Sequence, residues 1–136
     1  VATTYNPGDS EPSFIPLLSQ MLKQLLGKFA ENRAEKLLTD AGLSILQRNH
    51  RCRQGEIDLI AQDGDTLVFV EVRSRARRDY GSAAESITPA KQRRVIAAAR
   101  HYLSTLRRLP ACRFDAVTLD GGGEPVWIKS AFDDVG

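Results

Sequence analysis

The sequence predicts a single α/β domain, and three observations support that fold class. The chain has 136 residues, of which 42% are hydrophobic and 26% charged, as expected for one globular domain with one core. Two apolar strand patterns flank Asp63-Gly64, a dipeptide that favours a hairpin turn. Thr88-Pro89 then opens a long helical pattern, with threonine as N-cap and proline at the first helical position.

The N-terminal region predicts a tail followed by one or two helices. Residues 1–15 are rich in turn-forming residues and predict a flexible tail, which leaves a single domain at 16–136. Pro16–Leu26 predicts an extra N-terminal helix, and a second helical pattern follows at Lys28–Ala41. At roughly 100° per residue, the apolar faces on the two sides of Gly27 point in nearly opposite directions. Either the helix breaks at Gly27, or its first part packs on something else, such as a second copy of the protein.

The rest of the chain predicts five strands and one long helix. That helix runs from Thr88 to Arg108, and Pro110 stops it. Three glycines, Gly121 to Gly123, predict a hairpin loop rather than a phosphate cradle, because a strand and not a helix follows them. The element order is therefore α, β, β, β, α, β, β, with strands at Ser44–His50, Gly55–Gln62, Thr66–Arg73, Arg113–Asp120 and Pro125–Ser130.

Acidic side chains collect on one side of the predicted hairpin. A turn centred on Asp63-Gly64 makes Asp58 and Glu71 diagonal neighbours, with Cβ atoms roughly 7–8 Å apart or less. Two such carboxylates can hold Mg²⁺ or Mn²⁺ between them, whereas without a cation they repel each other. Alternatively, this face is the solvated side of the sheet, with an arginine as surface partner of the acids. The residues that alternation places on this face are Glu56, Asp58, Glu71 and Arg73.

Basic residues concentrate in the middle of the chain. Residues 73–108 carry ten Lys or Arg and two acids, a net charge of +8, whereas the whole chain carries +2. This segment predicts contact with an anionic partner such as a nucleic acid, or else a solvated helix face. Gln92 falls on the apolar face of the long helix, near its start. Its amide would reach either the acidic site or a phosphate, or else bond to loop backbone.

Histidine and cysteine patterns are weak in this sequence. Cys52 and Cys112 form no CxxC pair, so a cysteine zinc site is not expected, and two free thiols are a simpler interpretation than a disulfide. His50 and His101 lack the spacing or the company of metal ligands, so both are interpreted as incidental, with a phosphate contact as one role for His101. The sequence contains neither a signal-peptide pattern nor a membrane-spanning apolar run, and a cytoplasmic protein is expected.

The stretch GEIDLIAQDGDTLVFVEVRSR, together with Glu31 and Lys91-Gln92, resembles the YraN family of small bacterial proteins. That family resembles a compact branch of the restriction-endonuclease-like PD-(D/E)xK superfamily, and within it the Holliday-junction resolvases. The likeness runs from Gly27 to Phe132, and its most specific part is GEIDLI followed by FVEVR. It implies an αβββαβ core around a mixed central sheet flanked by helices, which matches the predicted element order.

The resemblance also implies roles for individual residues. Asp58 and Glu71 match the acids of the superfamily motif and would bind the metal and act in catalysis. Glu31 matches the acid on the first helix that completes the metal site, and Gln92 matches a glutamine of the resolvases. Glu56 belongs to the family motif without an assigned role.

Arg73 departs from the superfamily pattern, because it stands where the superfamily has a lysine. Arginine can stabilise charge on a phosphate, but it cannot release its proton to act as a base. A slower enzyme, a different base and a lost activity are each compatible with this substitution.

The sequence therefore predicts a divalent-metal-dependent DNA endonuclease or structure-specific nuclease that hydrolyses phosphodiesters, with branched or flapped DNA as candidate substrates. One alternative is a catalytically weak or inactive nucleic-acid-binding protein that keeps the nuclease fold. Another is an interaction protein that recruits partners, or a second copy of itself, through Pro16–Leu26. The predicted contacts to the DNA backbone are Arg75, Arg77, Arg78, Lys91, Arg93 and Arg94.

Overall fold

The computed structural model describes residues 14–75, 84–120 and 123–134, and the predicted element order is confirmed. The predicted tail lies outside these residues except at Phe14 and Ile15, which belong to the first helix, so that helix begins two residues before the predicted Pro16. A short 3-10 turn precedes the second helix and was not predicted. The elements are α1 (Phe14–Asp40), β1 (Ser44–Cys52), β2 (Gly55–Asp63), β3 (Thr66–Arg75), the turn Ala84–Ser86, α2 (Pro89–Leu103), β4 (Ala111–Asp120) and β5 (Val126–Phe132).

The five strands form one mixed sheet in the order β1-β2-β3-β4-β5. Neighbouring strands are antiparallel except β3 and β4, which pair in parallel along their whole length. A parallel pair needs a long crossover connection, and α2 lies in that connection. The sequence of elements from α1 to β4 is therefore αβββαβ, as the restriction-endonuclease-like core requires, with β5 added at the edge.

Alternate residues of β3 enter two separate hydrophobic clusters. Val68 packs in a cluster with Leu38 of α1, whereas Phe69 packs in a cluster with Ala98 of α2. Because successive side chains of a strand point to opposite faces, α1 and α2 cover opposite faces of the sheet. Glu71 continues the alternation of Phe69 and therefore lies on the α2 face.

Helix α1 continues through Gly27 as one element of 27 residues, which excludes the first of the two predicted alternatives, a break at that glycine. Its second half buries Ala30, Ala34 and Leu38 against the sheet. Its first part does not join the core, and neither described helix is long and apolar enough to cross a membrane. Large apolar side chains on this first part are each 43–64% exposed: Ile15, Leu17, Leu18, Met21, Leu22, Leu25, Leu26 and Phe29.

Gly42 ends α1 as predicted. Its φ of +97° lies in the left-handed region, which favours glycine. The N–H of Leu43 donates to the carbonyl of Leu38 at 3.0 Å, and the N–H of Gly42 donates to the carbonyl of Thr39 at 3.0 Å. These two bonds form a Schellman motif, which turns the chain directly into β1.

The β2–β3 hairpin is confirmed, but its predicted register is wrong by two residues. The structure pairs Asp63 with Thr66, so the loop residues are Gly64 and Asp65 rather than Asp63 and Gly64. Gly64 has a φ of +59°, which suits the first central position of a type II′ turn, where glycine is preferred. A shift of two residues preserves the face that each side chain occupies, so the predicted acidic face is retained.

Helix α2 starts at its predicted threonine cap but ends before the predicted Arg108. Thr88 accepts a backbone N–H of the first turn, and Leu103 is the last helical residue. The hydroxyls of Ser104 and Thr105 donate to backbone carbonyls three residues earlier, at 2.6 and 2.7 Å. Such side-chain bonds compete with the helical pattern and favour its end at this point.

Gly55 allows α2 to lie directly against the β1–β2 hairpin. A Cβ atom at Gly55 would lie 2.6 Å from the backbone carbonyl oxygen of Arg94, which no real side chain tolerates. Only glycine therefore permits this close approach. The contact places the first turns of α2 over the acidic end of the β2–β3 hairpin.

Candidate active site

Asp58 lies where the regular β2–β3 pairing stops. The last paired residues are Leu59 and Val70, and the register places Asp58 opposite Glu71 rather than diagonal to it. One oxygen of the Asp58 carboxylate accepts the backbone N–H of Val72 at 2.8 Å. The side chain therefore accepts a hydrogen bond from β3 just beyond the paired region. This bond fixes the carboxylate at the end of the hairpin that lies away from the turn.

The carboxyl groups of Asp58 and Glu71 lie side by side at the same cavity and interact directly. Glu71 is 7% exposed. Burial first, and the charge of Asp58 second, raise the pKa of Glu71 to about 8. Burial also raises the pKa of Asp58, although the N–H of Val72 favours its charged form. In the absence of a cation the two acids therefore share a proton near neutral pH, as close carboxyl pairs do.

The donor atoms of this pair suit a hard divalent cation. Mg²⁺ in proteins is commonly bound by one or two carboxylates together with phosphate oxygens, and Mn²⁺ accepts the same oxygen ligands. A bound cation would replace the shared proton and reverse the upward pKa shifts. The structure thus brings together the two acids that the sequence predicts as metal ligands.

Arg73 lies beside the acid pair, two residues after Glu71 on β3. Its Nη2 is 3.2 Å from Oε1 of Glu71. Its Nε is buried and has no hydrogen-bond partner among the residues that the structure describes. A buried N–H without an acceptor is unfavourable, so this guanidinium retains a donor for a further acceptor.

A cavity of about 240 Å³ opens next to these side chains. It combines three acids with three cations, two of which come from the first turns of α2. Because Gly55 lets α2 approach the hairpin, the cations of α2 lie close enough to share this cavity with the acids. The lining residues are Glu56, Asp58, Glu71, Arg73, Lys91, Arg94 and Val95.

Glu31 lies near the acid pair but does not meet it. Burial and the charge of Asp58 raise the pKa of Glu31, while a hydrogen bond with Asn49 lowers it. Its side chain lines the two adjoining grooves instead of the cavity. The ligand atoms of Glu31, Asp58 and Glu71, all within the described residues, do not lie within 4.8 Å of one another. Glu31 would have to move to complete a three-acid site.

Gln92 is the predicted site residue that the structure leaves away from the acids. Its side-chain N–H donates to the carbonyl of Ile87 at 3.1 Å, which is the loop-backbone contact that the sequence left as an alternative. The side chain lines a different cavity, together with Arg93 and Arg100. Its position therefore supports a role at the start of α2 and not contact with the acidic site.

The predicted DNA contacts divide into three groups. Lys91 and Arg94 line the acidic cavity, whereas Arg93 lines the cavity that contains Gln92. Arg77 and Arg78 lie outside the described residues, as does the side chain of Arg75. The structure thus places two of the predicted basic residues directly at the acid pair.

His50, Cys52 and His101 form a cluster that the sequence did not predict. One potential ligand atom of each lies within 4.8 Å of the other two. The interpretation that the two histidines lack the company of metal ligands is therefore wrong. The available signal was the spacing of His50 and Cys52, which puts both on one face of a strand, but only the fold brings His101 to them. Cys52 and Cys112 are both free thiols, as expected.

Comparison with known proteins places the chain in a family. Residues 30–119 match the model of "Uncharacterised protein family UPF0102", and this range includes the acids, Arg73 and Gln92. A UPF0102 protein of Nitrosospira multiformis is 56% identical over 115 residues, which cover 83% of this chain and 97% of that protein. A UPF0102 protein of Cupriavidus necator is 53% identical over 124 residues, which cover 90% of this chain and 93% of that protein. The chain therefore belongs to the UPF0102 family, which is the YraN family that its motifs resemble.

Proposed function

We propose that this chain is a divalent-metal-dependent DNA endonuclease or structure-specific nuclease that hydrolyses phosphodiesters with Mg²⁺ or Mn²⁺. The observation that carries the proposal is the buried pair of adjacent carboxyl groups, Asp58 and Glu71, at a cavity that three cations also line. Two acids placed together under burial are unfavourable for folding, so their presence supports a functional role. The resemblance to the PD-(D/E)xK superfamily points to the same two residues.

Asp58 and Glu71 would hold the cation through their carboxylate oxygens, and Glu31 would be the third ligand after a shift of its side chain. When bound, the metal supplies Lewis-acid stabilisation of the phosphate and lowers the pKa of water. Both acids must lose their shared proton to hold a cation, so cation binding releases a proton and strengthens as pH rises.

Arg73 would orient and stabilise the phosphate. Its Nε–H has no acceptor among the described residues, and a phosphate oxygen is a strong acceptor for a guanidinium. Because arginine cannot release its proton, Arg73 stabilises charge and does not act as the base. The proton of the attacking water would pass to solvent, because both carboxylates would be holding the cation. The leaving oxygen would take a proton from solvent as its bond to phosphorus breaks.

Lys91 and Arg94 would bind the DNA backbone on the α2 side of the cavity. Contacts to phosphates position DNA but read little sequence, so the preference is for a DNA structure, with branched and flapped DNA as candidates. This contact would extend along the DNA strand through Arg93 and the basic residues Arg75, Arg77 and Arg78. Bacterial DNA lies in the cytoplasm, so we place the activity there.

The test is cleavage of a panel of linear, branched and flapped DNAs with Mg²⁺ or Mn²⁺. Glu71→Gln removes the charge of one acid at nearly constant shape. Asp40→Asn is the matched control, because Asp40 is an exposed acid that pairs only with Lys36 among the described contacts, at 2.9 Å. We expect wild type and Asp40→Asn to cleave, and Glu71→Gln and Asp58→Asn to lose activity.

A variant of Arg73 also distinguishes the nuclease proposal from its alternative, an inactive nucleic-acid-binding protein. Arg73→Lys restores the superfamily residue and is expected to keep or raise Mn²⁺-dependent cleavage. Equal trace activity in wild type, Arg73→Lys and Glu71→Gln would identify that activity as contamination. The catalytically weak or inactive nucleic-acid-binding protein would then replace the nuclease proposal.

We also propose that a second copy of the chain covers the first part of α1. Residues 15–29 expose eight large apolar side chains and carry only two charged residues, Lys23 and Lys28. An apolar row of this size is unusual on the surface of a monomer. Light scattering should find a dimer in wild type and a monomer in the double variant Leu22→Glu/Leu25→Glu. A monomeric wild type at micromolar concentration would exclude this interface.

A further inference from the structure

We propose that His50, Cys52 and His101 bind a Zn²⁺ ion that joins the last turn of α2 to the edge strand β1. The three potential ligand atoms lie within 4.8 Å of one another. This cluster is separate from the acid pair, because it involves the C-terminal end of α2, seven residues beyond Arg94 and roughly 10 Å further along the helix.

The backbone explains why these three side chains meet. His50 and Cys52 are two residues apart on β1, so their side chains leave the same face of the strand. The close contact between Gly55 and Arg94 holds α2 against the β1–β2 hairpin, and the helix then runs on to His101 in its last turn. Both ends of the cluster are therefore fixed by regular secondary structure.

Neighbouring side chains hold the ring of His50 in place. Tyr102 packs edge-on against it, with ring centroids 5.4 Å apart, and the His101 ring lies at 5.9 Å. Nδ1 of His50 shares a hydrogen bond of 3.1 Å with the side-chain amide of Gln47. Metal-bound histidines commonly have such a partner on their second ring nitrogen.

The other ring nitrogen of His50 has an unmet requirement. Nε2 is buried and has no hydrogen-bond partner among the residues that the structure describes. If the Gln47 amide turns so that its oxygen accepts Nδ1–H, the lone pair of Nε2 is available for a cation. A Zn²⁺ ion would then satisfy a buried polar atom that the described residues leave without a partner.

The donor atoms select the ion. Two imidazole nitrogens and one thiolate suit the borderline-soft Zn²⁺ and not Mg²⁺, which requires oxygen ligands. Around a tetrahedral Zn²⁺ with bonds of about 2.0–2.3 Å, ligand atoms lie roughly 3.3–3.7 Å apart. The cluster would therefore contract by at most about 1.5 Å, which rotation of the exposed His101 side chain can provide. Three protein ligands leave the fourth position to water.

The test uses Co²⁺ as a spectroscopic substitute for Zn²⁺ in the reduced, full-length protein. We expect one Co²⁺ per chain to give a thiolate-to-cobalt absorption band and tetrahedral visible bands, which added Zn²⁺ displaces. Co²⁺ at the acid pair would have oxygen ligands only and would give no thiolate band. Cys52→Ser should abolish the thiolate band. His101→Ala should weaken Co²⁺ binding by at least about tenfold, which is the scale on which even residues outside the direct ligands act.

Two controls assign the signal to this cluster. Cys112→Ser removes the other thiol and should leave the band unchanged, as should Glu71→Gln, which removes an acid of the separate pair. Because His101 is exposed, His101→Ala should remain folded even where Cys52→Ser does not. The proposal is overturned if folded wild type gives no thiolate band. It is also overturned if the band survives Cys52→Ser, or if the thiolate band of His101→Ala saturates at the same Co²⁺ concentration as that of wild type.

Discussion

Asp115 and Glu71 are buried carboxyl groups on neighbouring strands, yet the chain surrounds them differently. Asp115 is fully buried, on β4. Its two oxygens accept hydrogen bonds from Nε of Arg113 at 3.1 Å, from Nε1 of Trp127 at 2.9 Å and from the backbone N–H of Ser130 at 2.9 Å. All of these hydrogen-bond donors belong to the protein, so the charge of Asp115 is compensated without a ligand.

Glu71 instead faces another acid. Among the described residues, Glu71 interacts with the carboxyl group of Asp58, with Arg73 at 3.2 Å and with the charge of Lys91. The protein supplies too few hydrogen-bond donors and positive charges here to compensate two negative charges, so the two carboxyl groups retain a proton between them. Burial alone therefore does not distinguish a structural carboxylate from a functional one. The distinction lies in whether the surrounding donors are sufficient.

The largest expected effect comes from neutralising the compensated acid. Asp115→Asn should lower the free energy of unfolding by about 3–5 kcal/mol, because it removes one partner of a buried ion pair. The new side-chain NH₂ group would also face hydrogen-bond donors, such as the backbone N–H of Ser130, that now donate to a carboxylate oxygen. Urea denaturation at neutral pH measures this change. A loss below about 1 kcal/mol would show that the hydrogen bonds around Asp115 contribute little net stability.

The matched change at the acid pair should have the opposite sign. The pKa of Glu71 is raised to about 8 in the folded state, so its contribution to stability is present at low pH and is lost as pH rises toward about 8. At about 1.4 kcal/mol per pKa unit, and with the shift shared with Asp58, Glu71→Gln should stabilise the cation-free protein at pH 8 by roughly 2–3 kcal/mol.

Urea denaturation of wild type and Glu71→Gln at several pH values checks this sign. The two stabilities should converge at low pH, where both side chains are neutral, and diverge as pH rises. Mn²⁺ should reverse the order at pH 8 by stabilising wild type only. Equal pH dependence in both proteins would contradict the shared-proton interpretation of the acid pair.

A smaller difference should separate the two arginines. Arg113 contacts both Asp63 and Asp115, whereas Arg73 contacts Glu71, which can take a proton instead. Arg113→Met should therefore destabilise the protein by about 3 kcal/mol and Arg73→Met by about 1 kcal/mol. In cleavage assays the order should reverse, with Arg73→Met reducing turnover by roughly 10²–10³. Equal stability losses would mean that Arg73 is as structural as Arg113.

The smallest expected effect concerns the cations of α2. Arg94 is exposed and lines the cavity, so Arg94→Ala should leave stability unchanged within about 0.5 kcal/mol. It should reduce the salt dependence of DNA binding by about one unit of slope, as expected for one lost phosphate contact. Lys36→Ala, on the far helix α1, is the control and should not alter that slope. An unchanged slope in Arg94→Ala would exclude Arg94 from the DNA contact.

Local signals predicted most of the fold. Thr88 and Pro89 marked the start of α2, Gly42 marked the end of α1, and strand alternation placed the acids of the hairpin on one face. The register was wrong because Asp63-Gly64 suits a type I′ turn and Gly64-Asp65 suits a type II′ turn, and both turn types fit the twist of paired strands. The acidic face survived the error because the shift was two residues.

Features that depend on distant contacts could not be predicted in this way. Glu31 matches a site acid through its family resemblance, but its distance from Asp58 depends on how α1 packs on the sheet. Gln92 was equally compatible with the site and with loop backbone. His50 and His101 meet because α2 lies against β1. Gly55 permits this contact, which the spacing of apolar residues in the sequence does not predict.

The single parallel pair of strands also bears on the order of folding. Strands β1, β2 and β3 are joined by short loops, so their pairing closes small loops and needs few long-range contacts. Pairing of β3 with β4 joins strands that begin 45 residues apart and must await the crossover. Asp58 and Glu71 both belong to the early, local unit. We therefore expect the two acids to meet while still hydrated, and water to leave them only when α2 and β4 dock late in folding.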